Sequence, residues 1–129
     1  MRNLLTLLLA IALAAPAAVT AQEASAAEQK AVSAIVECLL EGLPEDWRRV
    51  EMVVELAKPG AETGDVQYRV TRGDTPDQYE SFTPCDVRKP ARTLLDARKS
   101  QPAERRGWTG ARLLLQRDGK FGLHYDYPK

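Results

Sequence analysis

The residues best suited to chemistry lie near the carboxyl end, in QRDGKFGLHYDY (Gln116–Tyr127). This stretch holds the chain's single histidine, His124, with Asp126 two positions on and Asp118-Gly119 before them. A histidine and a carboxylate can do general acid–base work, but only with a positioned partner in a shielded pocket. The hairpin register decides where they point. If Asp118-Gly119 were a two-residue turn, Leu113 and Leu115 would leave the face that takes the apolar residues of the second strand. A three-residue loop, Arg117-Asp118-Gly119, with glycine in the left-handed bulge position, sets Leu115 opposite Phe121, Leu113 opposite Leu123, Ala111 opposite Tyr125 and Thr109 opposite Tyr127. One face is then continuously apolar. His124 and Asp126 go to the other face, beside Arg112, where solvation is the ordinary fate of a lone imidazole.

The remaining candidates for chemistry are few. Asp74 and Asp77 in GDTPDQ do not follow the ligand spacing of a calcium loop, and Asp118-Gly119 is turn chemistry, not a phosphate loop. Cys38 and Cys85 are the only cysteines. Together with one histidine they lack zinc-ligand spacing, so no metal and no cofactor is expected. An even cysteine count in an exported chain predicts a Cys38–Cys85 disulfide, the alternative being two buried thiols. Closing a loop of roughly 48 residues contributes about 4 kcal/mol on the chain-entropy view.

Export is read from the first residues, MRNLLTLLLAIALAAPAAVTA. Arg2 supplies a positive start, Leu4 to Ala14 an apolar run, Pro16 a break, and Val19-Thr20-Ala21 small residues for cleavage. The run is too short for the roughly 20 residues of a membrane-spanning helix. Residues 1–21 thus read as a cleaved secretory signal, with an uncleaved amphiphilic anchor as the alternative, and the protein as periplasmic or secreted. Residues 22–129 then suffice for one α+β domain with one core.

Formal charge is zero overall, which offers no general attraction to nucleic acid or anionic membrane. It is unevenly spread: residues 22–85 carry thirteen acids and six bases, residues 86–129 five acids and eleven bases. Either the halves neutralise each other on packing, or an acidic face survives to steer a basic partner.

The elements that position these groups follow from periodicity. Ser25-Ala26-Ala27-Glu28 fits a capping box. Val32, Ile35, Val36, Leu39 and Leu40 then form one helical stripe, with Cys38 on its flank. Gly42 is expected as a left-handed stop, and Pro44 bars continuation. In WRRVEMVVEL the period changes to two: Val50, Met52, Val54 and Leu56 face inward, Arg49, Glu51 and Glu55 outward. A second strand carries Val66, Tyr68 and Val70 inward. Gly73–Gln78 reads as a polar loop, followed by a short strand at Tyr79–Phe82. Asp86 can cap a short, weakly buried helix, or Pro90 can occupy its first turn. This predicts a four- or five-stranded antiparallel sheet covered on one face by the N-terminal helix, with a short second helix before the C-terminal hairpin.

Two segments resemble the YezG-like immunity proteins. Leu43–Glu55 has the Pro-x-x-Trp before the first strand (Pro44, Trp47). Trp108–Tyr127 has the aspartate-Gly-Lys-Phe hairpin and the aromatic-aspartate pair (Asp118, Gly119, Lys120, Phe121, Tyr125, Asp126). Together they span about a third of the mature chain, and residues 57–107 carry no match. The resemblance implies an α+β fold and neutralisation of a toxin by direct binding. Members of that family are usually cytoplasmic, so the export signal departs from the pattern. On this reading the partner is a protein, not nucleic acid or membrane, and Trp47, Trp108, Arg112 and His124 are its candidate anchors. A small-ligand or cell-envelope binding module, with a cavity lined from Val36, Met52 and Leu113, is the second expectation. A hydrolase built on His124 and Asp126 is the third.

Overall fold

The structure, a computed structural model, describes residues 25–129, so the expected leader lies outside the described residues. Helix α1 (Ala26–Glu41) is followed by strands β1 (Trp47–Glu55), β2 (Asp65–Arg72) and β3 (Thr75–Ser81). Helix α2 (Lys89–Arg98), a single 3-10 turn (Ala103–Arg105) and strands β4 (Gly110–Gln116) and β5 (Phe121–Asp126) complete the chain. The sheet is antiparallel in the order β3-β2-β1-β4-β5. This is the α+β architecture expected from the periodicity.

Alternation works as read on the buried face. Val50, Met52 and Val54 of β1, Tyr68 and Val70 of β2, and Ala111, Leu113 and Leu115 of β4 meet Ile35 and Leu39 of α1 and Leu94 and Leu95 of α2 in one hydrophobic cluster. Both helices lie on that face, which leaves the other face of the sheet uncovered. The second helix is buried more deeply than expected, because Ala91 and Ala97 are small enough to bring its backbone close to the core. Its start uses both devices at once: Pro90 sits in the first turn, and Asp86 Oδ1 accepts from the backbone N–H groups of Arg88 (2.8 Å) and Lys89 (3.1 Å). Those two donors hold the Asp86 carboxyl below its usual range.

Four local expectations are corrected. Ser25 does accept from the N–H of Glu28 (3.1 Å), but the Glu28 carboxylate does not return the bond. It turns inward, 4% exposed, and accepts from Gln101 Nε2 (2.5 Å) and Tyr125 Oη (2.6 Å). Gly42 has φ −101°, not a left-handed value. Glycine suits this position because a Cβ would overlap the Thr83 carbonyl, where the chain crosses the end of α1. The expected loop at Gly73–Gln78 is mostly strand: β3 begins at Thr75 after a tight Gly73-Asp74 connection, and Pro76 is tolerated because β3 is a sheet edge. Phe121 does lie opposite Leu115, yet it is 54% exposed, since the helices do not extend over the end of the edge strand β5.

The hairpin takes the three-residue loop. Leu115 pairs with Phe121, Leu113 with Leu123 and Ala111 with Tyr125, and Gly119 has φ +94°. Cys38 and Cys85 form a disulfide, with Cα atoms 4.9 Å apart. The backbone N–H of Cys85 also donates to the Cys38 carbonyl at 2.9 Å, so the link to the end of α1 is doubled.

Candidate functional site

The four sequence-predicted anchors are not brought together as one patch. Trp108 is 0% exposed, stacked on Tyr125 with ring centroids 5.2 Å apart, and the Arg98 guanidinium lies 5.6 Å from its ring centroid. It is a core residue, so the expectation that it meets a partner is corrected: its indole is sealed between α2 and the hairpin. Trp47, Arg112 and His124 do reach the surface.

On the uncovered face, Arg112 is paired across the ladder with His124 on one side and Val53 on the other. His124 Nε2 lies 3.1 Å from Asp126 Oδ1, but both side chains are more than half exposed. Water therefore surrounds the pair. Among the described residues, no group of three histidines, cysteines, aspartates or glutamates is placed to hold a metal ion. The best-ordered charges on this face centre on Glu51, which is nearly buried. It pairs with Arg69, more weakly with Arg112 at 3.9 Å, and Arg69 in turn lies over the Tyr79 ring at 5.3 Å.

At the end of the sheet, the two motif segments meet. The Arg117 guanidinium lies 5.1 Å from the Trp47 ring centroid, and its Nη1 donates to the carbonyls of Glu45 (2.7 Å) and Trp47 (3.0 Å). An arginine so stacked and hydrogen-bonded holds the half-buried indole in place. Arg117 was not singled out from the sequence, and the signal for it was weak: it sits in a turn, where charge is ordinary.

Arg48 was also missed, although a signal existed. With Val50, Met52 and Val54 inward, strict alternation would send Arg48 into the core, an untenable place for an unpaired guanidinium. The register resolves the conflict: Trp47 pairs with Arg72 but Arg49 with Thr71, so Arg48 is an extra, bulged residue. The bulge forms one wall of a groove of about 330 Å³ bounded by β1, β2 and the hairpin loop.

Of the residues expected to line an interior cavity, Met52 and Leu113 are buried in the hydrophobic cluster and Val36 packs against it. The space between helix and sheet is instead at the rim. There, a groove of about 460 Å³ between α1 and β5 is lined by Val32, Phe121, Leu123 and Tyr125, with Glu28 and Arg105 at its polar end.

The charge split is not cancelled by pairing. Among the described residues, Arg112–Glu51 is the one ion pair that joins the acidic and basic halves. No helix of the described residues is long and apolar enough to cross a membrane. Neither a scan against protein-family models nor a search of curated proteins finds a match to this chain.

Proposed function

We propose that this chain is an exported immunity or inhibitor-type protein that neutralises a partner toxin or enzyme by direct binding and performs no catalysis itself. The observation that carries this reading is the five-stranded sheet with both helices on one face. Its other face offers Arg49, Arg69, Arg112 and His124 to solvent around a nearly buried Glu51. A face of fixed charges is the kind of surface on which arginine anchors bind a protein partner, and Trp47, half-buried against the core, lies at the end of the same sheet. The meeting of the two YezG-like segments at the Trp47–Arg117 stack supports the same reading. The disulfide and the apolar leader support export to the periplasm or beyond, where such a bond persists. The His124–Asp126 pair, open to water, lacks the shielding that acid–base catalysis needs.

A small-ligand or cell-envelope binding module is the second reading, favoured by the groove between α1 and β5. One experiment separates the two. Tagged protein, expressed with its leader, is recovered from an envelope extract beside an Arg112→Glu/His124→Ala variant and a groove-filling variant at exposed Ser33, Ser33→Trp. The inhibitor reading expects a stoichiometric protein partner retained by the wild type and by Ser33→Trp, and lost with the face variant. Retention of no protein, or loss only with Ser33→Trp, would sink it.

A further inference from the structure

The groove at the β1 bulge shares only Arg49 with the binding face. Its walls carry Arg48, Arg49 and Arg117 together with Gln116 and a single carboxylate, Asp118, so the formal charge of its lining is +2. Consecutive strand residues normally point to opposite faces; the extra residue at Arg48 lets two adjacent arginines line one groove. Neither is neutralised. Arg69, Arg72 and Arg112 on the sheet all form ion pairs, whereas Arg48 and Arg49 form no ion pair or side-chain hydrogen bond among the described residues. Asp118 is engaged elsewhere, accepting from the Lys120 backbone N–H at 3.0 Å and lying 3.9 Å from its ammonium.

Thr71 also lines this groove, at 1% exposure, and its hydroxyl is buried with no hydrogen-bond partner. Buried hydroxyls are ordinarily paired, and an orphan is a donor awaiting an acceptor. Two arginines without ion pairs, a third held by its stack on Trp47, and a threonine with an unpaired hydroxyl give this groove a lining with excess positive charge. We propose that this groove is an oxyanion site that takes a dianionic phosphate group, whose charge matches the lining and whose oxygens outnumber those of a carboxylate. The phosphate is either that of a small soluble molecule or that of a lipid headgroup. The inference goes beyond the proposed inhibitor function and does not depend on it.

The test uses the full oxidised chain, isotopically labelled. Inorganic phosphate is titrated at constant ionic strength against a chloride control, and the amides of Arg48, Arg49, Thr71 and Gln116–Asp118 are followed by NMR. Saturable shifts confined to these residues are expected. They should be abolished in Arg48→Gln/Arg49→Gln, and the affinity should fall about tenfold in Thr71→Val. Both arginines are exposed and the threonine change is isosteric, so the variants should fold, which their unshifted amides elsewhere will verify. A parallel arm sediments the protein with phosphatidylcholine vesicles with and without phosphatidylglycerol. Given saturable phosphate shifts, pelleting with the anionic vesicles assigns the lipid source, and its absence the soluble one. No saturable shift in the wild type, or equal shifts in the double arginine variant, overturns the site, even if anionic vesicles pellet the protein.

Discussion

At the scale of single residues, two tyrosines tie the fold to pH. Tyr68 is buried and donates its hydroxyl to the Val87 carbonyl at 2.7 Å, and burial, then the nearby Asp86 charge, push it up to about 12. Tyr125 is raised further, by burial first and then by its bond to the Glu28 carboxylate. Both are neutral in the folded chain, while an unfolded tyrosine ionises near 10. The unfolded state therefore binds fewer protons between those values, and stability present below about pH 10 is lost as pH climbs toward 12. Urea midpoints measured from pH 8.5 to 11.5 should fall steeply, and Tyr68→Phe/Tyr125→Phe should start lower but decline less. A midpoint that holds flat to pH 11.5 would contradict the assignment of these two groups.

At the scale of elements, the end of α1 is crossed closely by the Thr83-Pro84 backbone. A side chain at Gly42 would meet the Thr83 carbonyl and the Pro84 Cα, both backbone, so neither can swing aside. Gly42→Ala should cost about 3 kcal/mol by overpacking and be seen as a lowered urea midpoint with an unchanged slope. A cost under half that would mean that the crossing yields easily. The same glycine marks what periodicity can and cannot supply. Apolar alternation located β1, β2, β4 and the hairpin register because each buries one face. It caught only the end of β3, through the short strand expected at Tyr79–Phe82, because the residues of this edge strand all remain at least partly exposed and carry no inward set. It also placed Gly42 in the wrong backbone region, since the need there comes from a segment about forty residues away. Among the site residues, Arg112 and His124 were legible from register. The orphaned Thr71 hydroxyl and the inward turn of Glu28 were not, because each depends on a neighbour distant in sequence, whereas the bulge at Arg48 was signalled by alternation and missed. Trp108 was misplaced for a simpler reason: it precedes β4, where alternation says nothing about its direction.

At the scale of the whole molecule, one covalent link spans the halves of the core. The disulfide joins α1 to the segment that leads into α2 and encloses β1, β2 and β3 within its loop. Reduction should lower unfolding free energy by about 4 kcal/mol on the chain-entropy view, less where the denatured chain keeps structure. Thermal melts with and without dithiothreitol should show a large downward shift, matched by Cys38→Ala/Cys85→Ala. Equal melting temperatures would show that the hydrophobic cluster and the Cys85–Cys38 backbone bond suffice alone.

The strand order has a consequence for how the molecule comes into being. Central β1 needs β4 on one flank, and Val54 finds Ala111 only after more than fifty intervening residues have been made. A nascent chain that has released only its first three strands from the ribosome therefore shows one raw flank of β1, together with apolar Val50, Met52 and Val54 still missing part of their cover. Such late, long-range pairing is slow and sticky. A polypeptide held open until its carboxyl end is free would escape that exposure.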